Sequence, residues 1–155
     1  MQKVVIFNGT ILENINFSNK NISKEEIIKI CKKLNLHEKI MSLKDGYETK
    51  ISNDTDIFSA GEKQLLNFSR VMVQDPQIII LDEVTASLSY KSEMLVRNAI
   101  EEVTRGKISF IIAHRLSTIE NCDKILLMKD GRIIEEGNHN ELMEKHGEYY
   151  GLVNV

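Results

Sequence analysis

The chain has 155 residues, enough for one domain with a real core. At 42% hydrophobic, 28% charged and net charge −3, it has the composition of a soluble α/β protein and offers no electrostatic case for binding nucleic acid. No apolar run approaches the ~20 residues of a membrane span, the start lacks a signal-peptide pattern, and Cys31 and Cys122 are isolated without metal-ligand spacing, as in a reduced, cytosolic protein.

In chain order, Val4-Val5-Ile6-Phe7 reads as a short strand or extended segment entering a turn at Asn8-Gly9. A short helix over residues 10–15 comes next. Ser23 and Glu26 form a capping box, which opens a helix with Ile27, Ile28, Cys31 and Leu34 on its apolar face. Another short helix covers residues 37–43, and Asp45-Gly46 signals a turn. Residues 59–73 read as a helix with Leu65, Leu66, Phe68, Ser69 and Val73 on its face, and Pro76 follows its end.

Ile78-Ile79-Ile80-Leu81 is a run of apolar residues that predicts a strand buried on both faces, as in a parallel sheet. Residues 91–104 form a helix: Leu95, Ala99 and Val103 repeat at four, with Val96 and Ile100 beside them, and Gly106 fits its stop. Residues 108–113 are a second buried strand. Strand, helix and strand at this spacing make a βαβ unit with parallel strands and a right-handed crossover. Residues 124–128 and 132–135 flank Asp130-Gly131 as a hairpin, and from Asn138 a helical tail is anchored by Leu142 and Met143.

Two carboxylates, Asp82 and Glu83, end the first buried strand. Ligands of open α/β sheets bind at strand carboxyl ends, and adjacent buried acids need a cation. Two readings stand: a Mg²⁺–phosphate ester site, or an ordinary acidic turn. His114 ends the second strand, so parallel neighbours would align all three residues on one edge. Phosphoryl transfer to water uses such a set: Asp82 on Mg²⁺, Glu83 polarising the water, and His114 touching the terminal phosphate. The plainer reading of His114 is a strand-end histidine satisfied by backbone. Ser59 and Glu62 form another capping box, and Ser59 with Gly61 also suits a phosphate at a helix N-terminus.

Several segments, in order, resemble the nucleotide-binding domain of an ATP-binding-cassette (ABC) transporter of the exporter type. QKVVIFNGTILENI, with Gln2, resembles the Q-loop and the segment after it. FSAGEKQLL resembles the signature motif, and IIILDE the Walker B strand. VTASLS resembles the D-loop, IIAHRLST the switch-histidine segment, and DGRIIEEGNHNEL the C-terminal hairpin and helix. The resemblance implies an incomplete P-loop NTPase-like α/β parallel-sheet core with a mainly helical subdomain. It divides the chain into residues 1–75 (Q-loop, helical subdomain, signature helix) and 76–155 (Walker B, D-loop and H-loop part of the core, with the C-terminal hairpin and helices).

It implies ATP and Mg²⁺ as cofactors. Glu83, His114 and Gln2 would be catalytic, with Asp82 and Gln2 on the metal. Ser59, Gly61 and Glu62 of the signature would face the ATP bound to a partner. That partner is a second nucleotide-binding domain, in a homo- or heterodimer. The helical part, including Gly9-Thr10-Ile11, would face the coupling helices of a transmembrane domain at the cytoplasmic face of the cell membrane. Expressed alone, the chain would be soluble in the cytoplasm.

Three departures qualify the resemblance. No G-x-x-x-x-G-K-[S/T] occurs, so the amide cradle, the phosphate lysine and a Mg²⁺ ligand are missing. The implied piece is the C-terminal part, roughly two-thirds, of one such domain. The signature reads FSAGE where LSGGQ is usual, and Ser89 stands in place of the D-loop aspartate. Two functions are consistent with this pattern: a partial ATP-hydrolysing domain that powers export, or a non-catalytic remnant that can only complement an intact partner. The acidic balance, the exporter-like TILENI and AHRLST, and the absence of a long coiled-coil insertion count against a related ATPase acting on DNA or ribosomes.

Overall fold

Among the described residues, four helices begin at reciprocal capping boxes: Thr10 with Glu13, Ser23 with Glu26, Ser59 with Glu62, and Asn138 with Glu141. Each pair satisfies two backbone N–H groups that a helix start otherwise leaves unbonded. The computed structural model describes residues 4–17, 21–85, 88–113 and 115–154. The chain divides into two units, Met1–Ile112 and Ala113–Val155.

The first unit opens with a two-residue strand, β1 (Gly9–Thr10), and helix α1 (Ile11–Ile15). Helices α2 (Lys24–Lys33) and α3 (His37–Met41) come next, then strand β2 (Lys50–Ile51), which pairs antiparallel with β1. Helix α4 (Ala60–Gln74) leads to strand β3 (Ile78–Asp82), helix α5 (Tyr90–Thr104) and strand β4 (Ile108–Ile112). Residues 4–7 form no regular element. Side chains take their polar groups instead: Ile6 N–H donates to Asn53 Oδ1 at 3.0 Å, and Phe7 N–H to Asn14 Oδ1 at 2.9 Å.

Strands β3 and β4 are parallel, with Ile78 opposite Ile108 and Asp82 opposite Ile112, as the βαβ reading requires. Helices α4 and α5 pack together, and one apolar core gathers Leu65, Leu66, Phe68, Val73, Ile79, Leu81, Val96, Ala99, Ile100 and Val103. Burial along β3 alternates, with Ile79 and Leu81 inside. Its other face is bare: Ile80 is 69% exposed and Phe110, opposite it, 59%. The expectation of strands buried on both faces is therefore wrong for this structure. A sheet buried on both sides needs a layer on each, and the helices of this core line only the Ile79–Leu81 side.

Helix α2 buries Ile27 and Cys31. Burial pushes the Cys31 thiol up to about 11, against a hydrogen bond with Tyr47 that lowers it. Helix α4 ends on Asp75 in the left-handed region, φ 47°. Lys107 donates to the Asp75 carboxylate and to the Pro76 carbonyl, tying the end of α4 to the start of β4.

The described residues of the second unit form a 3₁₀ turn at Leu116–Thr118, a hairpin and two short helices. Strands β5 (Ile125–Lys129) and β6 (Arg132–Gly137) pair antiparallel, and the register shifts between Leu127 and Met128. Asp130 and Gly131 both take positive φ, at 50° and 74°, as a tight two-residue turn requires. Helix α6 (His139–Glu144) buries Leu142, and helix α7 (Glu148–Val153) buries Tyr149. Both side chains are fully enclosed, with Met143 packed beside them. The Tyr149 hydroxyl lies 2.9 Å from His139 Nδ1.

The open face gives a direct test. Leu81→Ala should cost about 2–5 kcal/mol, because it empties a filled core position. Ile80→Thr, one residue away, should stay within about 0.5 kcal/mol, since its side chain touches mostly solvent. Urea unfolding of the two variants measures both. Sedimentation of an Ile80→Thr/Phe110→Thr double variant should show less self-association than the parent, because it removes an exposed apolar patch.

Candidate functional site

Asp82 is the last residue of β3, and Glu83 leaves the strand with φ +48°. A glutamate in the left-handed region carries roughly 1 kcal/mol of backbone strain. The Glu83 N–H still donates to the Ile112 carbonyl at 2.9 Å, so the parallel ladder holds one residue beyond the strand while the chain turns away. Both carboxylate residues are exposed. The premise of buried, unpaired acids thus does not apply here, because the open sheet face leaves this strand end in solvent. Val84 and the buried Thr85 come next, and Leu88 N–H donates to Thr85 O at 3.3 Å.

Ser89 ends that turn as the N-cap of α5: its hydroxyl accepts from Ser92 N–H at 3.4 Å and lies 3.1 Å from Ser92 Oγ. An aspartate could cap the same helix, since both residue types accept from the first turn. The serine keeps the cap and drops the charge.

Ser59, Gly61 and Glu62 share the start of α4. Ser59 N–H donates to Glu62 Oε2 at 2.7 Å, and Glu62 N–H to Ser59 Oγ at 3.3 Å. The Glu62 carboxylate is thereby held at the capping position. Gly61 is buried against α5: a Cβ there would lie 2.7 Å from Ser92 Cβ and 3.3 Å from Ser92 Cα. The glycine lets the first turns of the two long helices meet.

The structure thus brings Asp82 and Glu83 together at one strand end, and Ser59, Gly61 and Glu62 together at one helix start. Gln2 and His114 lie outside the described residues. Among the described residues, no group of three His, Cys, Asp or Glu side chains could hold a metal ion. Two adjacent carboxylates match the hard oxygen donors that Mg²⁺ takes through its waters. With no third ligand beside them and no phosphate loop in the sequence, the described residues fit one edge of a Mg²⁺–ATP site and do not complete it. A polar hollow of about 340 Å³ in the second unit, lined by residues that include Glu120, Cys122 and His139, contains none of the expected site residues.

One feature of α4 escapes a pattern search. Arg70 lies on the buried face, four residues after Leu66 and three before Val73, and is only 8% exposed. Its signal is a cation on an apolar stripe. Its partners, Asn14 and Val5, are 56 and 65 residues away in sequence.

The ABC transporter family profile matches residues 1–86. An uncharacterised ABC transporter ATP-binding protein of Bacillus subtilis is 44% identical over 153 residues, covering 99% of this chain and 25% of the relative. A fatty acid ABC transporter ATP-binding/permease protein of Mycobacterium bovis is 40% identical over 98% of this chain and 24% of its own length. A solved bacterial Atm1-family ABC exporter with ATP bound superposes with TM-score 0.83 and 33% identity, over 99% of this chain and 27% of that one. The chain therefore spans about a quarter of the length of these relatives. No helix among the described residues is long and apolar enough to cross a membrane.

The Gly61 contact makes a prediction. Gly61→Ala should destabilise the chain by about 1–3 kcal/mol through overpacking against α5. Adding Ser92→Gly should recover at least half of that loss, measured by urea unfolding. Equal stability of Gly61→Ala and the parent would contradict the close approach.

The fold, the motif order and the relatives agree: this chain belongs to the ABC transporter family, and its fold is part of a P-loop NTPase-type nucleotide-binding domain.

Proposed function

We propose that this chain supplies the catalytic edge and the signature helix of an exporter's nucleotide-binding domain, and that it does not hydrolyse ATP alone. The observation that carries the reading is the parallel β3–β4 pair, which ends in exposed Asp82 and Glu83 while the sequence contains no phosphate loop. ABC ATP-binding domains generally use ATP with Mg²⁺. In the proposed assignment Asp82 and Gln2 serve the metal side, Glu83 takes a proton from the attacking water, and His114 meets the terminal phosphate. Ser59, Gly61 and Glu62 present the start of α4 to the nucleotide of a second nucleotide-binding domain, in a homo- or heterodimer.

Residues 1–75 then form the helical and signature part, which faces the coupling helices of a transmembrane domain. Residues 76–155 form the catalytic-core part. The assembly works at the cytoplasmic face of the cell membrane. The loss of charge at Ser89 supports a second reading, in which the chain complements an intact partner and contributes no turnover of its own.

Calorimetric titration of the chain with Mg²⁺–ATP should give no measurable heat at millimolar nucleotide, and a phosphate-release assay no turnover. The reason is that the amides and lysine which normally bind the phosphates are missing from the sequence. Tight binding with turnover would overturn the proposal.

A further inference from the structure

The turn that opens the first unit carries the one Asn-Gly pair of the sequence, Asn8-Gly9. Asn8 is exposed at a bend, and its side chain makes no hydrogen bond among the described residues. The chain is held on both sides of it. Phe7 N–H donates to Asn14 Oδ1 at 2.9 Å, and the Phe7 carbonyl accepts from Asn14 Nδ2 at 2.8 Å. Beyond Asn8, Gly9 stands opposite Ile51 in the β1–β2 ladder, and Thr10 N–H donates to Glu13 Oε2 at 2.7 Å.

The fold calls for this glycine. A Cβ at Gly9 would lie 2.7 Å from Glu13 Oε2, the oxygen that caps α1 through Thr10 N–H, and would push it off the cap. Glycine also has no Cβ to stand between its own nitrogen and an approaching group. Every other asparagine is followed by a larger residue. Several are engaged besides: Asn14 is buried, Asn53 accepts from Ile6 N–H, and Asn138 caps α6.

We propose that Asn8 is a self-modification site, converting to aspartate and isoaspartate in the folded chain with only solvent water and hydroxide as co-reactants. The Gly9 nitrogen gives its proton to hydroxide and bonds to Asn8 Cγ, which closes a succinimide ring. The Cγ–Nδ2 bond breaks, and Nδ2 takes up a proton and leaves as ammonia. Water then opens the ring at either carbonyl. Cleavage between nitrogen and Cγ gives aspartate. Cleavage between nitrogen and the backbone carbonyl carbon gives isoaspartate, whose main chain runs through Cγ. No electrons change hands.

Two features let the reaction run without global unfolding. The Asn8 side chain has no bond to break before its Cγ approaches Gly9. Gly9 is the first residue of a two-residue strand, and short ladder ends open at little cost. The products disturb the segment. The new carboxylate stands close in sequence to the Gly9–Glu13 contact, and isoaspartate adds a methylene to the main chain between the Phe7–Asn14 bonds and β1.

The test holds the folded 155-residue chain at mildly alkaline pH and follows residue 8 by peptide mapping and mass spectrometry, beside the same chain unfolded in guanidinium chloride. The peptide containing residue 8 should become about one dalton heavier and split into aspartate and isoaspartate forms. Its rate should lie within roughly tenfold of the unfolded chain's, while Asn14, Asn53 and Asn138 keep their mass. Gly9→Ala should slow the conversion roughly tenfold, because its methyl group crowds the attack. That variant also disturbs the α1 cap, so Asn8→Ser serves as a second: it keeps Gly9 and the parent's urea midpoint, and its peptide should show no mass change. A folded-state rate more than roughly tenfold below that of the unfolded chain would overturn the proposal. So would conversion no faster than that of Asn53, or an unchanged rate in Gly9→Ala. No nucleotide enters the measurement, so its outcome is independent of the ATPase reading.

Discussion

The parallel β3–β4 pair is the constraint on which the first unit depends. Its side chains are apolar on both faces, and α4 and α5 cover only the face that carries Ile79 and Leu81. That one-sided burial places α4 and α5 side by side and makes their first turns meet at Gly61 and Ser92. It also leaves Ile78, Ile80, Ile108, Phe110 and Ile112 in water. The second unit repeats the pattern by itself, since Leu126, Met128 and Ile133 of its hairpin are exposed while Ile125 is buried. Apolar strand faces of this extent are normally covered, and exposed they favour association. A missing layer and a missing phosphate loop are two aspects of one fact: the P-loop-type core here is partial.

The same constraint explains the state of the Asp82–Glu83 strand end. The ladder runs on to Glu83, whose N–H still bonds Ile112 O, and then the left-handed turn at Glu83 lifts the chain out of the sheet. Strain of this kind persists where the surrounding structure imposes it, and it is concentrated at functional sites. Here the parallel pairing below and the capped start of α5 above fix both ends of the turn. The residues that would enclose the carboxylates are not among those that build this edge, so Asp82 and Glu83 face solvent.

Much of this was legible in the sequence because it is local. The Ser23–Glu26 and Ser59–Glu62 boxes are short local patterns, and both form in the structure. The buried faces of α4 and α5 follow from spacing, and Asp130-Gly131 from turn chemistry. Parallel pairing followed from the length of the crossover. The features that were not legible depend on distance or on the surroundings of an element. Apolar runs report the environment a strand is suited to, so Ile80 looked buried although nothing in the first unit's core covers it. Residues 4–7 looked extended or strand-like, yet Asn14, Asn53 and Arg70 side chains take backbone groups that a ladder would use. The Arg70–Asn14 node joins residues 56 apart, and no periodicity signals it. Tyr149, fully buried, was missed because the helix that carries it is only six residues long.

The central proposal is that Asp82 and Glu83 form an ATPase edge that a phosphate-binding complement would make active. The most direct measurement joins this chain to a phosphate-loop segment, a strand, G-x-x-x-x-G-K-[S/T] loop and helix, and records Mg²⁺–ATP hydrolysis. The account predicts a folded fusion with steady turnover that Glu83→Gln abolishes. A folded fusion that binds ATP without turning it over, or one whose turnover survives Glu83→Gln, would contradict it.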